Sequence, residues 1–193
     1  MRFAELDARL PLPEKAPAWH ALFIRHQHEK SVALALSHKG YEVYLPLYHS
    51  VRQWRDRVKQ LWLPLFPGYV FLCQGMDRQL QILSTPGVIH IVAWGGQPAI
   101  VPTSQLDAVR RILQSRLNVE AHPYLQSGDR VRVKTGPLLG LELILIRPKG
   151  VARLLISMEM LGRSAAVEID VRNVERIGPR LAASGSERVL ASA

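Results

Sequence analysis

From Trp19 to Ile24 the chain runs apolar and rich in strand formers, which predicts a β-strand. Gln27 to Lys39 then lacks Gly and Pro. Val32 and Leu36 fall four apart within it, and Gly40 follows as a stop, so this stretch predicts a helix. Tyr41 to Leu45 alternates and ends at Pro46, a second strand. Tyr69 to Cys73 is a strand launched by the Pro67-Gly68 turn. Asp77 to Ser84 reads as a short helix and Val88 to Ala93 as a strand. Ser104 starts a clear helix. Asp107 stands at the capping-box distance, and Leu106, Val109, Ile112 and Leu113 share one face. Helices laid on a largely antiparallel sheet make this half α+β.

After about Leu117 the pattern changes. Periodicity lapses and His122-Pro123 interrupts, which predicts a linker over 117–126. Beyond it come only short strands. Val131 and Val133 alternate with Arg130, Arg132 and Lys134. Leu141 to Ile146 and Val151 to Ile156 flank a Pro148-Lys149-Gly150 turn, and Val167 and Ile169 alternate with Glu168 and Asp170. Such a run predicts a small β-barrel. The expected division is a flexible segment over 1–17, a first domain over 18–116, the linker, a second domain over 127–177 and a disordered tail over 178–193.

Charge and cysteine content narrow the function classes. The 193 residues carry a net charge of +9, which favours a polyanionic partner. Residues 18–115 hold ten basic and five acidic residues, and residues 116–177 hold ten and seven, so the first domain carries the larger excess. The most basic stretch is 49–60, where Arg52, Arg55, Arg57 and Lys59 face Asp56 alone. The single cysteine, Cys73, sits in an apolar strand and reads as core; it excludes an intrachain disulfide framework. No apolar run approaches the ~20 residues that span a bilayer, and residues 1–18 lack a secretory pattern. These features predict a cytoplasmic protein without a membrane partner. The seven histidines show no ligand spacing, and no nucleophile elbow or phosphate loop is present. Neither catalysis, a metal nor a cofactor is expected.

Two groups of residues remain as candidates for binding. Tyr69, Phe71, Trp94 and Leu106 gather aromatic and apolar side chains near one sheet edge, as plain core or as a groove for a partner's helix. Arg25, Lys30, Lys39, Arg52, Arg55, Arg57 and Lys59 form a solvated face or a phosphate-contact surface.

The order of several segments resembles one family. Trp19 to Leu34, followed by Gly40-Tyr41-Glu42-Val43-Tyr44-Leu45-Pro46, is similar to the opening of a NusG N-terminal domain. Pro64-Leu65-Phe66-Pro67-Gly68-Tyr69-Val70-Phe71 is similar to that domain's most recognisable segment, and Thr85-Pro86-Gly87-Val88 and Gly95 to Pro102 continue in register. Gly128-Asp129-Arg130-Val131-Arg132-Val133-Lys134-Thr135-Gly136-Pro137-Leu138-Leu139-Gly140 resembles a KOW motif, closed by Leu161 to Ser164 and Val167 to Asp170. The resemblance covers about residues 18 to 177. It implies a NusG-type α/β sandwich followed by an SH3-like KOW β-barrel, in a monomeric transcription elongation factor that modulates pausing, termination and antitermination.

By position, the resemblance places the groove for the RNA polymerase clamp helices at Tyr69, Phe71, Trp94 and Leu106. The gate-loop side falls at Arg78, Gln79, Leu80 and Gln81. The side facing non-template DNA falls at Arg25, His38 and Lys39. A KOW surface for a small-subunit ribosomal protein or Rho falls at Leu161, Met160 and Ile144. Pro98 to Pro102 and the short chain are closest to specialised, operon-specific paralogues similar to RfaH. Leu143 stands where the family commonly has a second glycine. A general NusG factor and a KOW-containing ribosomal or RNA-binding protein are the alternative readings.

Overall fold

The computed structural model describes residues 18–54, 57–115, 117–123, 128–146 and 152–181. The segments predicted to be flexible at 1–17, and the tail beyond 181, lie outside the described residues.

The N-terminal sheet is antiparallel. It comprises β1 (Trp19–Ile24), β2 (Glu42–Tyr44), β5 (Tyr69–Cys73), β6 (Val88–Ile91) and β9 (Ile100–Val101). The path runs β2-β5-β1-β6, with β9 also on β1. Trp19 lies opposite Cys73 and Ala21 opposite Phe71, so the strand period of two sorts the side chains cleanly. Leu22, Ile24, Val70 and Leu72 point to one face. There they meet Val32 and Leu36 of helix α1 (Glu29–His38) and Ile82 of helix α2 (Gln79–Leu83). Trp19, Ala21, Phe71 and Cys73 point to the other.

Local chemistry fixes these elements. Glu29 is buried, and its Oε1 accepts from the Gly68 amide at 2.9 Å, tying the first turn of α1 to the turn before β5. Its charge also suits the helix N-terminus. Gly40 (φ +84°) ends α1 as expected. Gly87 has φ +98°, and a Cβ there would sit 2.8 Å from Val32 Cγ2. Only glycine lets this turn close on α1.

Helix α3 (Thr103–Gln114) begins with Pro102 at its cap and makes no side-chain cap bond. The capping-box expectation therefore fails: the Asp107 carboxylate takes Arg110 at 2.7 Å instead. The predicted Asp77–Ser84 helix is a 3-10 turn over Met76–Arg78 leading into α2. The basic stretch, left without structure in the sequence reading, is a two-stranded ribbon. Strand β3 (Leu47–Trp54) pairs along its length with β4 (Arg57–Pro64) and, among the described residues, with no third strand. A second small hairpin joins β7 (Ala93–Trp94) and β8 (Gln97–Pro98).

The C-terminal sheet is formed by β10 (Val119–Pro123), β11 (Gly128–Val133), β12 (Glu142–Ile146), β13 (Arg153–Met158), β14 (Arg163–Glu168) and β15 (Val174–Leu181). Its order is β10-β14-β13-β12-β11-β15, all antiparallel. The predicted barrel is not closed among the described residues, because the outer strands β10 and β15 do not pair with each other. Two boundaries also move. Val119–Pro123, within the stretch read as a linker, is an edge strand on β14, and β15 runs into the predicted tail. Gly128 carries φ +145°, and a Cβ there would lie 2.7 Å from the Leu145 carbonyl oxygen, so β11 requires glycine at its first residue.

Candidate partner-binding groove

The second face of the N-terminal sheet is apolar and carries α3. Phe71 and Leu106 are fully buried there and Tyr69 is half-buried against the same cluster. Trp94 does not join them. It is 85% exposed on the β7–β8 hairpin, because that short hairpin carries it clear of the sheet. Three of the four expected groove residues therefore come together and one stands apart.

Residues that the sequence reading passed over complete the cluster. Tyr44 lies opposite Phe71 across β2 and β5, with ring centroids 6.2 Å apart, and Trp19 meets Tyr44 edge-on at 6.3 Å. The Arg110 guanidinium lies 4.9 Å from the Tyr44 ring and 5.2 Å from the Trp19 ring, within cation–π range. Burial pushes the Tyr44 phenol up to about 12, against a lowering from Arg110. The same burial raises the Cys73 thiol, with the nearby Glu42 carboxylate adding to it. Burial pulls His20 down, partly offset by the Ala99 carbonyl 3.0 Å from Nδ1. The signal for Trp19 and Tyr44 was available: parity along β1 and pairing along β2 put both on the face of Phe71.

Helix α3 lies on this face, with Leu106, Val109 and Ile112 in its cluster, and the C-terminal sheet packs beside both. Val131, Leu143, Leu154, Met158, Leu161 and Ala165 share one buried cluster with Phe71 and Leu106. The Tyr69 hydroxyl donates to the Leu161 carbonyl at 3.0 Å. Arg111 on α3 donates to the carbonyls of Pro137 and Leu139 at 3.1 and 2.8 Å. Beside this seam a cavity of about 420 Å³ is lined in part by Ser104, Ala108, Ile144 and Leu155. The residues expected on a KOW partner surface are therefore turned inward. Leu161 is buried, Met160 packs on the shared cluster, and Ile144 is half-buried in the seam. The two expected binding surfaces cover each other.

The remaining candidates lie on the helix-covered side. Arg78, Gln79, Leu80 and Gln81 are exposed, Leu80 at 84%. Arg25 and His38 are exposed as well. Lys39 is engaged within the molecule, its Nζ donating to the Gln81 carbonyl at 2.9 Å and to Thr85 Oγ1 at 2.7 Å. Tyr41 donates to Gln81 Oε1 at 3.2 Å. The gate-loop and DNA-side sets thus form one continuous surface. Among the described residues no group of three or more His, Cys, Asp or Glu could hold a metal, and no helix is long and apolar enough to cross a membrane.

The charges divide unevenly. In the C-terminal sheet Arg132 bridges Glu142 (2.6 Å) and Glu175 (3.7 Å), and Arg153 bridges Glu120 and Glu168. Arg176 meets Asp129 at 3.5 Å. Arg172 meets Asp170 at 2.7 Å, holding that carboxyl down at about 2.

Three comparisons bear on this arrangement. The NusG family, described as transcription termination factor nusG, matches residues 17–110. The transcription termination/antitermination protein NusG of Halalkalibacterium halodurans is 26% identical over 159 residues, covering 77% of this chain and 88% of that protein. A solved structure of Thermotoga maritima NusG, titled for its domain interaction, superposes with a TM-score of 0.54 at 21% identity. It covers 84% of this chain and 98% of that one, a likeness of fold.

Proposed function

We propose, for a chain whose residues 17–110 are a NusG-family region, that it is a transcription termination/antitermination factor acting on RNA polymerase. One observation carries the reading: an apolar, aromatic-lined sheet face, with Tyr69 and Phe71 on it and Leu106 of α3 against it, that shares its buried cluster with a second domain as well as with its own helix. Such a face suits the helical clamp element of polymerase, because a helix laid in a groove relies on a few aromatic anchors. Trp94, exposed nearby in sequence on its hairpin, is the fourth anchor in this reading. Arg78 to Gln81 face the gate loop, and Arg25, His38 and Lys39 face non-template DNA. The C-terminal sheet is read as a KOW domain that offers Leu161, Met160 and Ile144 to a small-subunit ribosomal protein or to Rho. The site of action is the cytoplasm, the acting species is a monomer, and the role is that of a specialised, operon-specific paralogue.

Polymerase and the C-terminal sheet compete for one face in this reading, so binding requires the sheet to move off. That movement uncovers the Leu161 surface at the same step. The arginine–carboxylate pairs of the C-terminal sheet leave it less free charge for RNA, which favours the factor reading over a ribosomal one.

The test is an elongation assay with the cognate polymerase on the protein's own operon leader and on an unrelated template. Altered pausing or termination confined to the leader supports the specialised role, and an effect on both templates supports a general factor. Trp94→Ala leaves the fold intact and is expected to weaken polymerase binding about tenfold, as a groove anchor would. A folded protein with no effect on either template overturns the proposal.

A further inference from the structure

The carboxyl ends of α1 and α2 meet at one lysine. Lys39 is the C-terminal cap of α1, and its Nζ reaches the last turn of α2, donating to the Gln81 carbonyl at 2.9 Å and to Thr85 Oγ1 at 2.7 Å. Thr85 is 1% exposed, and its hydroxyl donates in turn to the Gln81 carbonyl at 3.1 Å. Ser84 Oγ donates to the same oxygen at 3.1 Å. The Tyr41 hydroxyl holds the other end of the residue, donating to Gln81 Oε1 at 3.2 Å. Gln81 is thus fixed at its backbone and at its side chain, by residues 42 and 40 positions away in the chain.

Helix α2 needs such an anchor. Its 5 residues are far too few to stand as a helix in water by themselves. It has no side-chain bond at its N-terminal cap, and Ile82 is its one buried residue. Leu80 and Leu83 are 84% and 41% exposed, so apolar burial beyond Ile82 holds it weakly. The carbonyls of its last turn lack helical partners and carry partial negative charge, which a cation satisfies on both counts. A charged donor also makes a stronger hydrogen bond than the neutral hydroxyls of Ser84 and Thr85.

We propose that Lys39 is a positioning residue, whose ammonium latches α2 to the end of α1 and so sets the placement of the Arg78–Gln81 face. The functional part rests on the reading above that this face meets polymerase. It gives Lys39 a task other than the DNA contact read for it there: with two oxygens already on its Nζ, one N–H is left for any outside group. Gln81 likewise acts inside the molecule, as the residue the latch closes on, which leaves Arg78, Gln79 and Leu80 as the outward part of the face. The core under α1, with Leu22, Leu36 and Val70, does not depend on the latch, so its loss loosens α2 and spares the sheet.

The test compares Lys39→Met, which keeps the aliphatic stem and removes the ammonium, with Thr85→Val, which removes a buried hydroxyl that no partner can touch. The first readout is amide hydrogen exchange of the full chain. The Ser84 and Thr85 amides, bonded to the Leu80 and Ile82 carbonyls, should exchange about tenfold faster in Lys39→Met and about fivefold faster in Thr85→Val, while exchange in β5 stays as it is. The double variant should fall short of the product of the two, because both act through one network. The second readout is the elongation assay, in which both variants should lose effect on pausing in that same order. Unchanged exchange at Ser84 and Thr85 in Lys39→Met overturns the latch. Faster exchange with full effect on pausing overturns the positioning role, and so does a loss of effect in Lys39→Met that Thr85→Val does not share, since that marks direct contact by the ammonium. If the unaltered chain leaves elongation untouched, the reading above fails on its own, and the exchange rates still decide the latch.

Discussion

The two faces of the N-terminal sheet are equally apolar and are closed in different ways. Leu22, Ile24, Val70 and Leu72 lie under α1 and α2, which belong to the same domain. Trp19, Ala21 and Phe71 share their cluster with α3 and with a sheet that Tyr69 reaches through a hydrogen bond to Leu161 spanning 92 residues of chain. A cover supplied by local elements forms with the fold and stays. A cover supplied by a distant domain is held by its interface alone, so in the proposed reading the buried face can exchange that cover for a partner. Burial of Phe71 and Leu106 therefore does not distinguish core from binding surface; what distinguishes them is which part of the chain does the burying.

The strongest way to break this comparison is to damage the locally closed face. Leu22→Ala or Leu36→Ala removes a fully buried side chain and should cost about 2–5 kcal/mol of stability in urea denaturation. Spectroscopic distances between the domains at low denaturant should stay as they are. Damage to the other face should do the reverse. Arg111→Ala deletes both bonds to the Pro137 and Leu139 carbonyls. Because both bonds are open to solvent, the loss should be about 1 kcal/mol, roughly a fivefold shift away from the closed arrangement. Inter-domain energy transfer reads that shift, and an unchanged distance distribution would remove Arg111 from the latch.

A smaller effect sharpens the same point. Tyr69→Phe keeps the ring and removes only the single bond to Leu161, against two for Arg111, a loss of about 0.5 kcal/mol at the low end of the usual range. It should loosen the closed form less than Arg111→Ala while keeping the urea midpoint of the N-terminal sheet. The smallest is a pH effect at Tyr44. Its folded phenol sits at about 12, above the ordinary value near ~10 of an unfolded chain. The stabilisation is fully present below pH ~10 and declines as pH rises towards 12, because the unfolded chain then loses a proton that the folded chain keeps. Ultraviolet difference spectra against Tyr44→Phe locate the midpoint, and a midpoint near 10 would mean that the ring is open to water.

Much of this was legible in the chain. The apolar run Trp19–Ile24 and the Pro67-Gly68 turn before Tyr69–Cys73 gave both strands, which are buried on both faces, and the Val32–Leu36 spacing with Gly40 gave α1, buried on one. The ribbon was missed because its basic middle, Arg52 to Lys59, offers no polar–apolar alternation to read. Strand β10 was missed because His122-Pro123 looks like a break, yet proline is tolerated at the end of an edge strand, where no ladder bond is needed. The mutual cover of the groove and the Leu161 surface left no trace in the sequence. Its polar contacts are a hydroxyl and a guanidinium on main-chain carbonyls, and carbonyls have no residue identity to read.

Strand β10 also sets how far the two halves can separate. Helix α3 ends at Gln114 and β10 starts at Val119. If β10 travels with β14, residues 115–118 are the whole leash, about 14 Å at full stretch. If β10 peels away, the leash lengthens to residues 115–127, about 45 Å. The ladder from Val119–Val167 to Pro123–Arg163, with the Arg153–Glu120 pair beside it, thus acts as a ratchet on reach. While it holds, the displaced sheet stays crowded against its old seat and returns readily. Once it parts, a sheet displaced as proposed would search a far larger volume for its own partner, at a lower effective concentration near polymerase.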